Sequence, residues 1–194
     1  MNTKITLVIG IIILTLGIGL SLSQKQPDVK PSWVQQVLWQ DKPPDNAKIE
    51  ELLWTEITPY RTEYEMVNIS SDTTSEGLRL KVVATSKETD KQDIYDFMYD
   101  GKELLLTGYL LEAIPSQYRN DAIAIAIGNQ EVAASVAGAG APTVRRILPK
   151  TSERFYAPKT LLSVTWEGVS ALVDPDERTV VQVWKAGAQQ GAKK

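Results

Sequence analysis

The hydrophobic positions near the N-terminus differ in pattern from those in the rest of the chain. Residues 5–22, from Ile5 to Leu22, form an apolar run of 18 residues without a charge. At about 1.5 Å of rise per residue, a helix of this length spans about 27 Å, close to the hydrocarbon thickness of a bilayer. The run predicts a retained membrane anchor or a secretory signal peptide. The signal peptide is an alternative because Ser21 and Ser23 flank Leu22 in a cleavage-like arrangement.

Three later segments have apolar residues at helical spacing. Residues 32–40, SWVQQVLWQ, predict a short helix that starts at a capping-box pattern. Asp45 is a suitable N-cap for a second helix, in which isoleucine and leucine recur at i, i+3 and i+4. An alanine-rich helix is predicted over residues 121–137, with a kink near Gly128 and Asn129.

The remaining segments alternate between apolar and polar residues, which is typical of half-buried strands. Strands are predicted at residues 64–69, 78–84, 94–99, 103–110, 143–148, 159–166, 169–173 and 179–184. Asp100-Gly101 predicts a tight hairpin, since glycine supplies the positive φ of a type I′ turn. A second hairpin is predicted around residues 174–177.

These elements predict an α+β protein, with an N-terminal transmembrane helix followed by two helix-plus-antiparallel-sheet units. The helix starts near Asp45 and Asn120 are 75 residues apart, and so are the turns at Asp100 and Pro175. This shared offset predicts an internal duplication. The predicted divisions are residues 1–23 for the anchor or signal peptide, 24–44 for a juxtamembrane linker and short helix, 45–115 for the first unit, 116–185 for the second unit and 186–194 for a disordered tail.

The second unit resembles the PepSY domain family. Val173-Asp174-Pro175, followed by a valine-rich strand, is similar to the family's ending, and the alanine-rich helix before the strands is similar to its opening. Glu177-Arg178 departs from the family, in which Thr-Gly is usual at this turn. The resemblance implies two tandem PepSY-like modules outside the cytoplasm, without catalytic residues and linked to peptidase regulation or partner binding.

The composition excludes several classes of function. The chain has no cysteine and no histidine, so thiol chemistry, thiolate metal sites and the commonest general base are absent. A net charge of −3 gives no basic footprint for nucleic acid. No cofactor and no enzymatic activity are predicted.

We therefore expect a membrane-tethered, extracytoplasmic, non-catalytic binding or regulatory module that acts on a peptidase or an envelope protein. The membrane contact is assigned to residues 5–22, and the domain is expected to face the extracytoplasmic side, or to be secreted if the run is cleaved. The alternative is a single-span accessory subunit of a larger membrane protein complex. The binding-module hypothesis predicts an exposed apolar or aromatic face that remains after the sheet packs against its helices.

Candidate binding residues fall into two groups. A basic cluster offers a patch for an acidic partner and consists of Arg145, Arg146, Lys150 and Arg154. Alternating aromatic residues form either a ligand groove or a face packed against the helices, and these are Tyr95, Phe97 and Tyr99. Asn68-Ile69-Ser70 is an N-glycosylation sequon, so Asn68 is a candidate modification site.

Overall fold

The computed structural model describes residues 30–149 and 159–185. Strands make up 45% of this part of the chain and helices 21%. The strands are β1 (Val34–Trp39), β2 (Tyr64–Thr74), β3 (Gly77–Thr85), β4 (Gln92–Tyr99), β5 (Leu104–Leu111), β6 (Thr143–Ile147), β7 (Leu161–Trp166), β8 (Val169–Asp174) and β9 (Thr179–Lys185). The helices are α1 (Asn46–Glu56), α2 (Ser116–Gly128) and α3 (Gln130–Ser135).

The first sheet has five strands in the order β1-β2-β3-β4-β5. Strands β2 to β5 are antiparallel to their neighbours, whereas β1 pairs with β2 in parallel. Helix α1 packs against one face of this sheet, where Ile49 and Leu53 join a core that includes Val67, Val82 and Phe97. All five side chains are fully buried, so this face holds the hydrophobic core of the first sheet.

The second sheet has four antiparallel strands in the order β6-β7-β8-β9. Helices α2 and α3 lie against one face of it, and Ala122, Ala126 and Val132 contribute their side chains to the shared core. Val164 and Ala171 belong to the same core from the sheet side. In both halves of the described chain, helix is followed by four antiparallel strands; the duplication that this order suggests stays a prediction.

The predicted α+β class is wrong, because the described chain is mostly β. The clearest difference is β1, which occupies residues 34–39 where the sequence predicts a helix. The backbone N–H of Gln40 donates to the carbonyl of Ile69 at 2.9 Å, which extends the pairing of β1 with β2. Strand pairing thus satisfies backbone groups that a helix would satisfy internally, and it overrides a short helical pattern.

The predicted transmembrane signal-anchor is not present in the described part of the chain. Within residues 30–149 and 159–185, no helix is long and apolar enough to cross a membrane. Residues 5–22, to which the prediction refers, lie outside the described residues, and so does the predicted tail at 186–194.

The alanine-rich helix is interrupted near the predicted kink. Two helices, α2 and α3, replace the single predicted one, and α2 begins at Ser116, five residues before the predicted start. The Asn129 side-chain oxygen accepts hydrogen bonds from the backbone N–H groups of Glu131 and Val132 at 3.0 and 3.3 Å. Asn129 therefore caps α3, which explains why the chain changes direction there.

Both predicted hairpins are present, but the first has a longer loop than a type I′ turn. Strand β4 ends at Tyr99 and β5 begins at Leu104. The carboxylate of Asp100 accepts hydrogen bonds from the backbone N–H groups of Lys102 and Glu103, each at 2.8 Å. The side chain of Asp100 therefore orders a four-residue loop between the two strands.

Candidate binding surface

The first sheet has a second face, opposite α1, which we call the open face. Successive side chains of a strand point to opposite faces, so the cross-strand register sorts the outward side chains into rows. The apolar row crosses all five strands and consists of Leu38, Asn68, Val83, Ile94 and Leu110. The neighbouring charged row crosses four strands and consists of Ser70, Lys81, Asp96 and Gly108.

Apolar side chains on the open face take no part in the hydrophobic cores of the described residues. Leu38 and Leu105 are 41% and 66% exposed, and they are two of the four large hydrophobic side chains with high exposure in this part of the chain. The other two, Ile127 and Val181, lie on α2 and β9. The open face therefore presents apolar surface that no described helix covers.

Charges of both signs lie next to the apolar row. Lys81 and Asp96 are directly opposite each other on β3 and β4. Arg79 approaches the Asp96 carboxylate at 3.9 Å from the same face. A Cβ atom at Gly108 would lie 3.6 Å from the same carboxylate, so the missing side chain leaves Asp96 accessible from the β5 side. The open face thus combines an apolar centre with a cation and an anion beside it.

A buried polar cluster joins the two sheets. Arg146 on β6 enters the core of the first sheet, where its guanidinium donates to the Asp93 carboxylate at 3.0 Å, the Tyr95 hydroxyl at 2.6 Å and the Thr58 carbonyl at 2.6 Å. The Tyr64 hydroxyl donates to the same carboxylate at 2.6 Å. The side chains of Arg146 and Asp93 are only 3% and 1% exposed. This cluster is therefore an internal junction and offers no surface to a ligand.

The tyrosines of this junction stay protonated at neutral pH. Loss of hydration raises the pKa of Tyr95 to about 12, although the charge of Arg146 acts in the opposite direction. Loss of hydration also raises the pKa of Tyr64 well above its ordinary value, and the neighbouring Tyr95 and Asp93 add to this effect. Both hydroxyls act as neutral hydrogen-bonding groups, which is the behaviour of a structural cluster and not of a general base at neutral pH.

A second, exposed junction surrounds the turn between β8 and β9. Arg61 has a positive φ of 53°, lies over the Tyr118 ring of α2 at 5.3 Å and pairs with Asp176 in the turn. Arg178, at the end of the same turn, has a φ of 52° and pairs with Asp121 of α2 at 2.8 Å. Two arginines in the left-handed backbone region therefore hold this turn against its neighbours.

The predicted aromatic groove is absent from the surface. Tyr95, Phe97 and Tyr99 lie on the face that packs against α1 and are at most 3% exposed. Phe97 and Tyr95 stack in the core with ring centroids 6.1 Å apart. The alternative reading of the pattern, a face packed against helices, describes their position.

The predicted basic cluster is divided. Arg145 is exposed and pairs with Glu112 at 2.7 Å, whereas the adjacent Arg146 points to the opposite face of β6 and is buried. Lys150 and Arg154 lie outside the described residues. The two described arginines therefore lie in opposite environments, one exposed and one buried, because adjacent residues in a strand face opposite sides.

None of the predicted binding residues that the structure describes lies on the open face. Asn68, the predicted modification site, is half-buried in its apolar row. A signal for the open face is present in β4. This strand reads QDIYDFMY, and its outward positions Ile94 and Met98 are apolar although its inward positions already supply the core. A strand with apolar residues on both faces, in a sheet with a helix on only one, indicates a second contact surface.

Comparison with known proteins finds no relative, since no family model, no curated protein and no solved structure matches the chain. The PepSY resemblance therefore stays a prediction from the sequence. Within the described residues, no group of three or more acidic side chains is arranged to hold a metal ion.

Proposed function

We propose that this chain is a non-catalytic binding module and that the open face of its first sheet binds a protein. The observation that carries the proposal is the apolar row, which crosses the whole sheet and lies outside every core cluster of the described residues. Burial of apolar surface yields about 25 cal/mol per Å², so a partner that covers this row gains free energy from it. Charged side chains beside the row supply orientation.

The size of the open face defines the kind of interface it supports. Five strands about 4.8 Å apart give a width of about 24 Å, and four outward residues along each strand, about 6.7 Å apart, give a length of about 27 Å, so the open face covers at most about 640 Å². Stable complexes bury about 800 Å² on each partner. The open face alone therefore suits a weak or transient contact, which is the behaviour expected of a regulatory module.

The sequence supports a location and a type of partner for this module. The resemblance to PepSY domains favours a peptidase or an envelope protein outside the cytoplasm as the protein that the module regulates. The open face is available to a protein wherever the chain resides, so the binding proposal does not depend on the fate of residues 5–22.

Site-specific photo-cross-linking in the native host tests the proposal. A photoreactive amino acid replaces Leu105 on the open face or, as a matched control, Ile127 on α2, since both side chains are well exposed. We expect discrete protein adducts from position 105 and none of the same mass from position 127. Identical adduct patterns at both positions, or no adduct from 105, would refute binding at the open face.

A further inference from the structure

We propose that the partner of the open face is the open face of a second copy of this chain, in a symmetric dimer. This inference rests on the proposed function and names the partner of the same surface. A dimer with two-fold symmetry requires a surface that is complementary to itself. The arrangement of charged and apolar residues on β3 and β4 meets this requirement.

The complementarity follows from the register of the two central strands. Lys81 lies opposite Asp96, and Val83 lies opposite Ile94. A two-fold axis that runs along the strands, between β3 and β4, exchanges these two strands between the copies. It places Lys81 of each copy against Asp96 of the other and Val83 of each copy against Ile94 of the other.

Such a dimer has the ordinary form of two sheets packed face to face. Sheets packed in this way lie about 10 Å apart, with their strands within about 30° of one another. Val83 and Ile94, which are only partly buried in one copy, fill the centre of the contact. Leu110 extends the apolar row on β5 and lies against Asn68 of the other copy, while Gly108 removes bulk from the charged row.

The charges favour a second copy over a partner of a single charge sign. A surface bearing one sign selects a partner bearing the other, whereas Lys81 and Asp96 side by side match themselves after a two-fold rotation. In this dimer the strands β2 to β5 overlap and cover about 500 Å². Because this is less than the roughly 800 Å² that each partner of a stable complex buries, we expect a weak dimer that forms as the concentration rises.

Charge reversal tests the dimer. The full-length chain in density-matched detergent is studied by sedimentation equilibrium over a series of concentrations, as the unchanged protein and as Lys81→Asp and Asp96→Lys. Each variant places like charges together at two symmetry-related positions. We expect each to weaken self-association at least tenfold, which corresponds to about 1.4 kcal/mol. Lys91→Asp, an exposed charge reversal outside the open face, should leave self-association unchanged.

An equimolar mixture of the two variants provides the decisive measurement. In a mixed dimer, the aspartate at position 81 of one copy meets the lysine at position 96 of the other, and the second contact is matched as well. We expect the mixture to recover the association that each variant lacks alone. Changes within a single chain cannot produce this recovery, so it separates the dimer contact from an effect on folding.

The outcomes separate this proposal from the proposed function. A chain that stays monomeric at every concentration, or a dimer that is indifferent to both charge reversals, or a mixture that fails to recover, overturns the dimer. If a different protein is cross-linked from position 105 in any of these cases, the binding function holds and only the identity of the partner changes. Cross-linked adducts with the mass of two copies, together with recovery in the mixture, support both.

Discussion

Replacement of Arg146 by methionine should destabilise the protein strongly, because it leaves the buried carboxylate of Asp93 without its cation. Breaking a buried ion pair by removing one partner costs about 3–5 kcal/mol. Asp93 keeps two other donors after this change, the Tyr64 hydroxyl at 2.6 Å and the Ala113 backbone N–H at 2.8 Å. These contacts place the expected loss near the lower limit, at about 3 kcal/mol.

The assay is urea-induced unfolding followed by circular dichroism, with Arg145→Met as the matched control. Arg145 is the adjacent residue on the same strand, but its side chain is half exposed and pairs with Glu112 at the surface. Exposed ion pairs contribute about 0.2–1 kcal/mol, so the control should lose less than about 1 kcal/mol. Two substitutions of the same chemical type thus differ only in the burial and partners of the arginine.

The double variant Arg146→Met, Asp93→Asn completes the test. It removes the uncompensated charge while the asparagine oxygen can still accept the hydrogen bond from Ala113, so it should be more stable than the sum of the two single losses predicts. Equal losses for Arg146→Met and Arg145→Met would refute the reasoning. Strictly additive losses in the double variant would do the same, since they would show that Arg146 and Asp93 do not interact.

Three further predictions concern alkaline stability and backbone geometry. The pKa of Tyr95 is raised to about 12 from an ordinary 10.0, so its contribution to the free energy of unfolding is complete below about pH 10 and is lost as the pH rises towards 12. The free energy of unfolding, measured from pH 8 to 12, should therefore fall less steeply in Tyr95→Phe than in the unchanged protein. Arg178→Gly should be more stable than Arg178→Ala by about 0.5–1 kcal/mol in urea titrations, because both variants lose the pair with Asp121 but only glycine accepts the left-handed backbone at φ 52° without strain, and equal stabilities would contradict this. Gly77→Ala should cost more than about 2 kcal/mol in thermal unfolding, since its Cβ would lie 2.5 Å from the Tyr99 carbonyl oxygen at φ 139°, whereas Gly108→Ala, with its nearest contact at 3.6 Å, should be tolerated.

Local signals in the sequence were sufficient for several elements of the fold. The β4–β5 hairpin follows from alternation on both sides of Asp100 and Gly101, and the interruption between α2 and α3 follows from Gly128 and Asn129. In each case the residues that determine the structure are neighbours in the chain. The side chain of Asn129, for example, acts on backbone groups two and three residues away.

Features that depend on distant partners could not be predicted in this way. Strand β1 carries a pattern compatible with a helix, and only its pairing with β2, about 30 residues later, makes it a strand. Arg146 looks like a surface cation beside Arg145, and its burial follows from Asp93, which is 53 residues away. Prediction of the open face requires knowledge of which side of the first sheet α1 covers. The alternation of residues along the strands does not determine that side.

The inter-sheet contact of Arg146 also has a consequence for the order in which the protein forms on the ribosome. Synthesis runs from the N-terminus, so all five strands of the first sheet are made before the arginine that enters their core. For 53 residues of elongation, Asp93 has no cation, and burying it in that interval is costly. We therefore expect the core of the nascent first sheet to reach its final packing only after β6 has emerged. Folding of the first sheet thus depends on the second half of the chain, although the strands of each sheet pair locally.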